Sequence, residues 1–136
     1  MPSSRQTGAS PAGRAPGTVW IVDDDESSRL AMESLVQSLG YPTQVFAAPD
    51  EYLAARTSRL RTEDGVLISD IRMPGMSGLE LLDRLVALGT APPTIFVSAF
   101  PSDALRLRVQ ASAAVALLDK PVDATVLKRE LENIGV

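Results

Sequence analysis

The sequence predicts an α/β domain, a five-stranded parallel sheet covered by helices on both faces. Three observations predict it. Short β-rich runs and helical stretches alternate five times between Thr18 and Val136. The strand runs are continuously apolar, as strands buried on both faces are, rather than alternating apolar and polar. The runs end in, or pass straight into, polar residues, so Asp, Ser and Lys fall where the sheet edge would be. Strict βα alternation implies parallel pairing with right-handed crossovers.

The first strand is "TVWIVD", with Trp20 mid-strand and facing the core. "ESSRLAMESLVQSLG" follows as a helix. Met32, Leu35, Val36 and Leu39 recur at i, i+3, i+4 and i+7, one helical face, and Gly40 fits the position just past the end. Asp25 precedes this helix with Ser28 three residues on, which makes it an N-cap in preference to a metal ligand. "PTQVF" is a weak second strand. "PDEYLAARTSRL" is a helix with Pro49 and two acids in its first turn. "GVLISD" is the third strand. "SGLELLDRLVALG" is a helix with Ser77 as N-cap and Leu82, Leu85 and Val86 on one face. "PTIFVS" is the fourth strand and "PSDALRLRVQAS" the fourth helix, with Leu105 and Val109 on the core and Leu107 pointing away among arginines. "AVALL" is the fifth strand, and "DATVLKRELENIG" closes as the fifth helix.

At 136 residues the chain suffices for one domain with its own core. Residues Pro2 to Gly17 are rich in Pro, Ser, Gly and Ala, too little apolar area to offset ordering entropy. They read as a flexible tail carrying Arg5 and Arg14. There is no cysteine and no histidine. That removes disulfides, thiolate and imidazole metal sites, and His-based catalysis. The formal charge of −4 argues against direct nucleic-acid binding. No apolar run approaches the ~20 residues that span a bilayer, and no secretory leader is recognisable. No membrane association and a cytoplasmic location are the expectation.

Topology gathers the polar residues. In an open parallel sheet the strand C-termini share one edge, where ligands bind. Asp23 and Asp24 end the first strand, Asp70 the third, Ser98 the fourth, and Lys120 follows the fifth. Carboxylates crowded together repel until a proton or cation relieves them. Hard oxygens with an open face suit Mg²⁺, with Mn²⁺ as the alternative ion. A carboxylate can attack phosphorus to give an aspartyl phosphate. Metal, ammonium and hydroxyl would then neutralise and orient the phosphoryl oxygens.

The set "VDDD", "SDIRMPGMSG", "VSA" and "DKP", in this order and spacing, resembles the receiver domain of bacterial two-component response regulators, the CheY-like group. The resemblance spans Thr18 to Val136, giving a tail at 1–17 and a receiver at 18–136. It implies a flavodoxin-like three-layer (βα)5 sandwich with strand order 2-1-3-4-5. It implies that Asp70 is the phosphoacceptor, and that Asp23, Asp24, Asp70 and the Arg72 backbone carbonyl hold the metal. Ser98 and Lys120 would stabilise the phosphoryl group, with a cis bond before Pro121. The implied partners are a sensor histidine kinase or phosphotransfer protein. The implied dimer face is the fourth helix, fifth strand and fifth helix. "DIRMPGMSG" is closest to the subgroup that often carries helix-turn-helix output domains, and no such domain is read here.

Two positions depart from the pattern. Leu117 stands where the family has a switch aromatic, so the readout of phosphorylation is expected to differ; Phe100 is a candidate substitute. Ala113 stands near the usual glycine ahead of the fifth strand. Glu26 and Asp119 read as solvated charges flanking the site. Three other functions compete. An Mg²⁺ phosphohydrolase of the aspartyl-phosphate kind would need an acid where Arg72 stands. A non-phosphorylated scaffold would not need the complete acidic set, though Leu117 favours it. A flavodoxin-like cofactor binder would need a phosphate loop where "DDDES" repels anions.

Overall fold

A computed structural model describes residues 17–59 and 63–136. The expected tail, apart from Gly17, lies outside the described residues, as does Leu60 at the expected end of the second helix. The element order is β1 (Thr18–Val22), α1 (Glu26–Ser38), β2 (Thr43–Phe46), α2 (Pro49–Thr57), β3 (Gly65–Asp70), α3 (Gly78–Ala87), β4 (Thr94–Ser98), α4 (Asp103–Gln110), β5 (Ala116–Asp119) and α5 (Ala124–Ile134). The five strands form one parallel sheet in the order β2-β1-β3-β4-β5. This is the flavodoxin-like arrangement.

The strand period of two sorts the core into layers. Val19, Ile21, Val66, Ile68, Ile95, Val97 and Leu118 face α1 and α5, where Met32, Val36, Leu127 and Leu131 meet them. Their neighbours Trp20, Val22 and Leu67 face Tyr52 and Ala55 of α2 and Leu81 and Leu85 of α3. Phe96 joins Leu79, Leu82, Leu105 and Val109 in a third cluster between α3 and α4. Each large aliphatic side chain so buried contributes about 1.5–3 kcal/mol, which is why the apolar runs dictate the sheet.

The helix ends follow their capping residues. Asp25 caps α1 by accepting from the Ser28 N–H, and Gly40 follows its end at φ +98°. Ser77 and Glu80 form a reciprocal capping box on α3. Ser102 caps α4, so that helix starts at Asp103 rather than Pro101. Asp123 caps α5 and Gly135 closes it in the left-handed conformation.

Two expectations are corrected. Val86 is half exposed, although it shares an azimuth with Leu79 and Leu82. It lies in the last turn of α3, and the α4 cluster that covers those leucines does not include it. β5 starts at Ala116, two residues later than the apolar run suggests, and runs on to Asp119. Val115 bonds the Thr94 carbonyl but stays outside the ladder, 48% exposed. Among the described residues no helix is long and apolar enough to cross a membrane.

Candidate functional site

The parallel register brings the strand C-termini to one rim. Val22 lies opposite Ser69, Asp70 opposite Val97, and Ser98 opposite Asp119. Asp23 and Asp24 therefore leave β1 beside the end of β3, and Lys120 leaves β5 beside the end of β4.

Asp70 ends β3 where the chain turns away. Its Oδ1 accepts from the Ile71 N–H at 2.7 Å, and its carbonyl accepts from the Ser69 hydroxyl at 2.8 Å. Gly78 opens α3 so close to this strand end that a Cβ there would stand 2.4 Å from the Asp70 carbonyl oxygen. The Gly78 N–H donates to the Ile71 carbonyl at 2.8 Å, which fixes the loop. Gly75, at φ +80°, supplies the left-handed turn after Pro74.

Asp23 is 3% exposed. Its Oδ1 accepts from the Asp25 N–H at 3.0 Å, and Arg29 donates to its carbonyl at 2.8 Å. Asp24 is exposed beside it. One carboxylate oxygen from each of Asp23, Asp24 and Asp70 lies within 4.8 Å of the others. Lys120 sits among them, with Nζ 3.1 Å from Asp23 Oδ2 and 3.0 Å from Asp70 Oδ2. Burial works to lower the Lys120 pKa. Hydrogen bonds and charge from Asp70 and Asp23 outweigh it, and the ammonium is held above its ordinary value.

Ser98 is buried, and its carbonyl accepts from the Lys120 N–H at 2.9 Å, tying β4 to the start of the next loop. The Lys120–Pro121 peptide is cis. The Arg72 side chain is exposed and lines a depression with Pro74, Ser102 and Arg108. Leu117 is half buried against the α3–α4 cluster rather than at the rim. Phe100 is 92% exposed at φ +49° and packs on no cluster among the described residues. Asp119 is not a free charge: it pairs with Arg106 of α4 at 3.2 Å. Ser28 is a site residue that sequence reasoning treated only as a capping partner. Its hydroxyl accepts from Lys120 Nζ at 2.8 Å. The one signal for it is a hydroxyl one helical turn after Asp24, too common a pattern to stand out.

The donor set fits a hard divalent cation: three carboxylates, no sulfur, no imidazole, and one partly open side. The family model for the response regulator receiver domain matches residues 19–132 of the chain. The chain belongs to this family.

As a receiver it is 38% identical over 107 residues to the DNA-binding transcriptional regulator NtrC of Salmonella typhimurium, covering 79% of this chain and 22% of that protein. It is 30% identical over 116 residues to the transcriptional regulatory protein FixJ of Rhizobium meliloti, covering 85% of this chain and 55% of that one. The chain thus spans about a fifth of the first relative and about half of the second. Its fold superposes on the Vibrio cholerae chemotaxis protein CheY4 with a TM-score of 0.76 at 28% identity, covering 88% of this chain and 99% of that one. The receiver assignment places the chain in two-component signal transduction.

Proposed function

We propose that this receiver accepts a phosphoryl group on Asp70 from a phosphohistidine of a sensor kinase or phosphotransfer protein, and that the resulting aspartyl phosphate switches a partner or output. One observation carries the reading: three carboxylates and an ammonium converge at the C-terminal rim of the sheet, and no other acidic trio among the described residues meets the same geometry.

In the step, an Asp70 carboxylate oxygen attacks phosphorus. An O–P bond forms, the P–N bond breaks, and the imidazole leaves with its electron pair and keeps its proton. Asp23, Asp24, Asp70 and the Arg72 carbonyl would hold Mg²⁺ or Mn²⁺, which supplies charge neutralisation at the phosphoryl oxygens when bound. Lys120 would pair with the phosphoryl group and Ser98 would hydrogen-bond it. Beyond its own phosphorylation and slow hydrolysis the domain is a signalling element rather than an enzyme. Arg72, where a phosphohydrolase would carry an acid, argues against turnover of other substrates. A homodimer through α4, β5 and α5 is supported by Leu107, 65% exposed beside the Arg106–Asp119 pair.

The test is intact mass after incubation with acetyl phosphate, with and without Mg²⁺, beside Asp70→Ala. One phosphoryl group is expected on the native protein in Mg²⁺ alone, and none on the variant. An unmodified native protein would instead support the scaffold reading, in which the receiver fold binds partners without phosphorylation.

A further inference from the structure

Lys120 Nζ carries three protons and no lone pair. All three have acceptors: Asp70 Oδ2 at 3.0 Å, Asp23 Oδ2 at 3.1 Å and Ser28 Oγ at 2.8 Å. The shortest of the three contacts goes to the neutral hydroxyl. Ser28 is itself held, because its backbone N–H donates to Asp25 Oδ2 at 2.8 Å while the Asp25 N–H donates to Asp23 Oδ1 at 3.0 Å. The contacts close a ring that runs from Asp23 through Asp25, Ser28 and Lys120 back to Asp23.

The three acceptors are not equivalent. Asp23 and Asp70 belong to the trio whose oxygens suit a divalent cation. An ammonium and a divalent cation sharing those oxygens at close range repel each other. Ser28 stands outside the trio. We propose that Ser28 is the positioning residue for Lys120: its hydroxyl is the anchor the ammonium keeps when a divalent cation takes the Asp23 and Asp70 oxygens. Lys120 then stays at the rim, beside Asp70, instead of swinging into solvent. The inference rests on the cation-dependent reading above and assigns a further residue to it.

The hydroxyl's role is separable from the helix cap. The cap uses the Ser28 backbone N–H, which alanine keeps, and alanine favours the helix. Ser28→Ala therefore removes the anchor and leaves α1 in place, while Ser28→Thr restores a hydroxyl.

Two readouts test it. The chain has two lysines, Lys120 and Lys128, so a Lys128→Arg background leaves one side-chain ammonium signal in a nitrogen–proton NMR spectrum. In metal-free protein that signal is expected to be sharp with the native serine and in Ser28→Thr, and broadened by solvent exchange in Ser28→Ala. In saturating Mg²⁺, with binding by each protein confirmed by calorimetry, the same signal is expected to stay sharp with the native serine and in Ser28→Thr, and to broaden into solvent exchange in Ser28→Ala, whose ammonium then keeps no anchor. A Ser28→Ala ammonium signal as sharp as the native one in saturating Mg²⁺ would overturn the anchor and leave the phosphoacceptor reading standing. Failure of the native protein to bind Mg²⁺ at all would overturn both.

Discussion

Lys120 keeps its charge in a partly buried position because its two carboxylate partners more than offset the loss of water. Its folded pKa lies above the ordinary lysine value. The stability it contributes is therefore complete below that value and is lost only as pH rises through the raised one. At neutral pH the pair is broken by mutation, not by titration. Lys120→Ala leaves Asp23, 3% exposed, facing Asp70 without a cation. We expect a loss of about 1–3 kcal/mol in urea unfolding with chelator present, the cost of an unpaired group in a partly buried setting. Millimolar Mg²⁺ should restore most of it by supplying the missing charge. A variant no less stable than Lys128→Ala would show that the pair is energetically neutral.

At the scale of elements, α3 is the helix that shapes the loop after Asp70. Its first residue, Gly78, packs against the Asp70 carbonyl and the Phe96 ring, where a Cβ would meet atoms at 2.4 and 3.0 Å. Backbone cannot yield as a flexible side chain does. Gly78→Ala is thus expected to destabilise by about 2 kcal/mol or more, as overpacking typically does, and to slow Asp70 phosphorylation as well. Unchanged modification kinetics would separate the helix from Asp70. The same helix carries a pH-sensitive start. Glu80 is held below the usual carboxylate range by its bonds to Ser77. A depressed folded pKa gives stability that is full above the unfolded value and is lost as pH falls through the folded one. Glu80→Gln should therefore lose less melting temperature than the native protein between neutral pH and the acid side of the carboxylate range. Parallel melting curves would remove the capping box from the acid response.

At the scale of the whole molecule, Arg56 joins parts that the sheet alone does not. It is 7% exposed, stacks over Trp20 at 4.7 Å, and donates to the Thr90 carbonyl at 2.8 Å and the Glu63 carbonyl at 2.9 Å. It ties the end of α2 to β1, to the approach to β3 and to the loop before β4. Arg56→Ala should cost about 2–4 kcal/mol in unfolding experiments, and Arg56→Lys should recover little, since an ammonium neither stacks nor forks as a guanidinium does. Asp70 phosphorylation should persist in both. What the sequence made legible, and what it did not, divides along the same line. Strand order of hydrophobicity, cap residues and the acids at strand ends are local signals, and β1 to α5 follow from them. Nothing in the residues around Arg56 marks it as buried. Ser28 acquires its partner across 92 residues of chain. Val86 and the start of β5 depend on where a neighbouring helix stops covering them. Those features are set by how elements pack together, which no short stretch encodes.

The packing around Trp20 has an optical consequence. Trp20 is the sole tryptophan, wholly buried, with the Tyr52 ring centred 5.9 Å away. At that separation excitation absorbed by Tyr52 passes to the indole, so the folded domain emits in the tryptophan band when either ring is excited. The pair reports on the seating of α2 against β1 and faces away from the α1–α5 side of the sheet. Tyrosine emission that rises on warming would mark α2 leaving the sheet, in unlabelled protein.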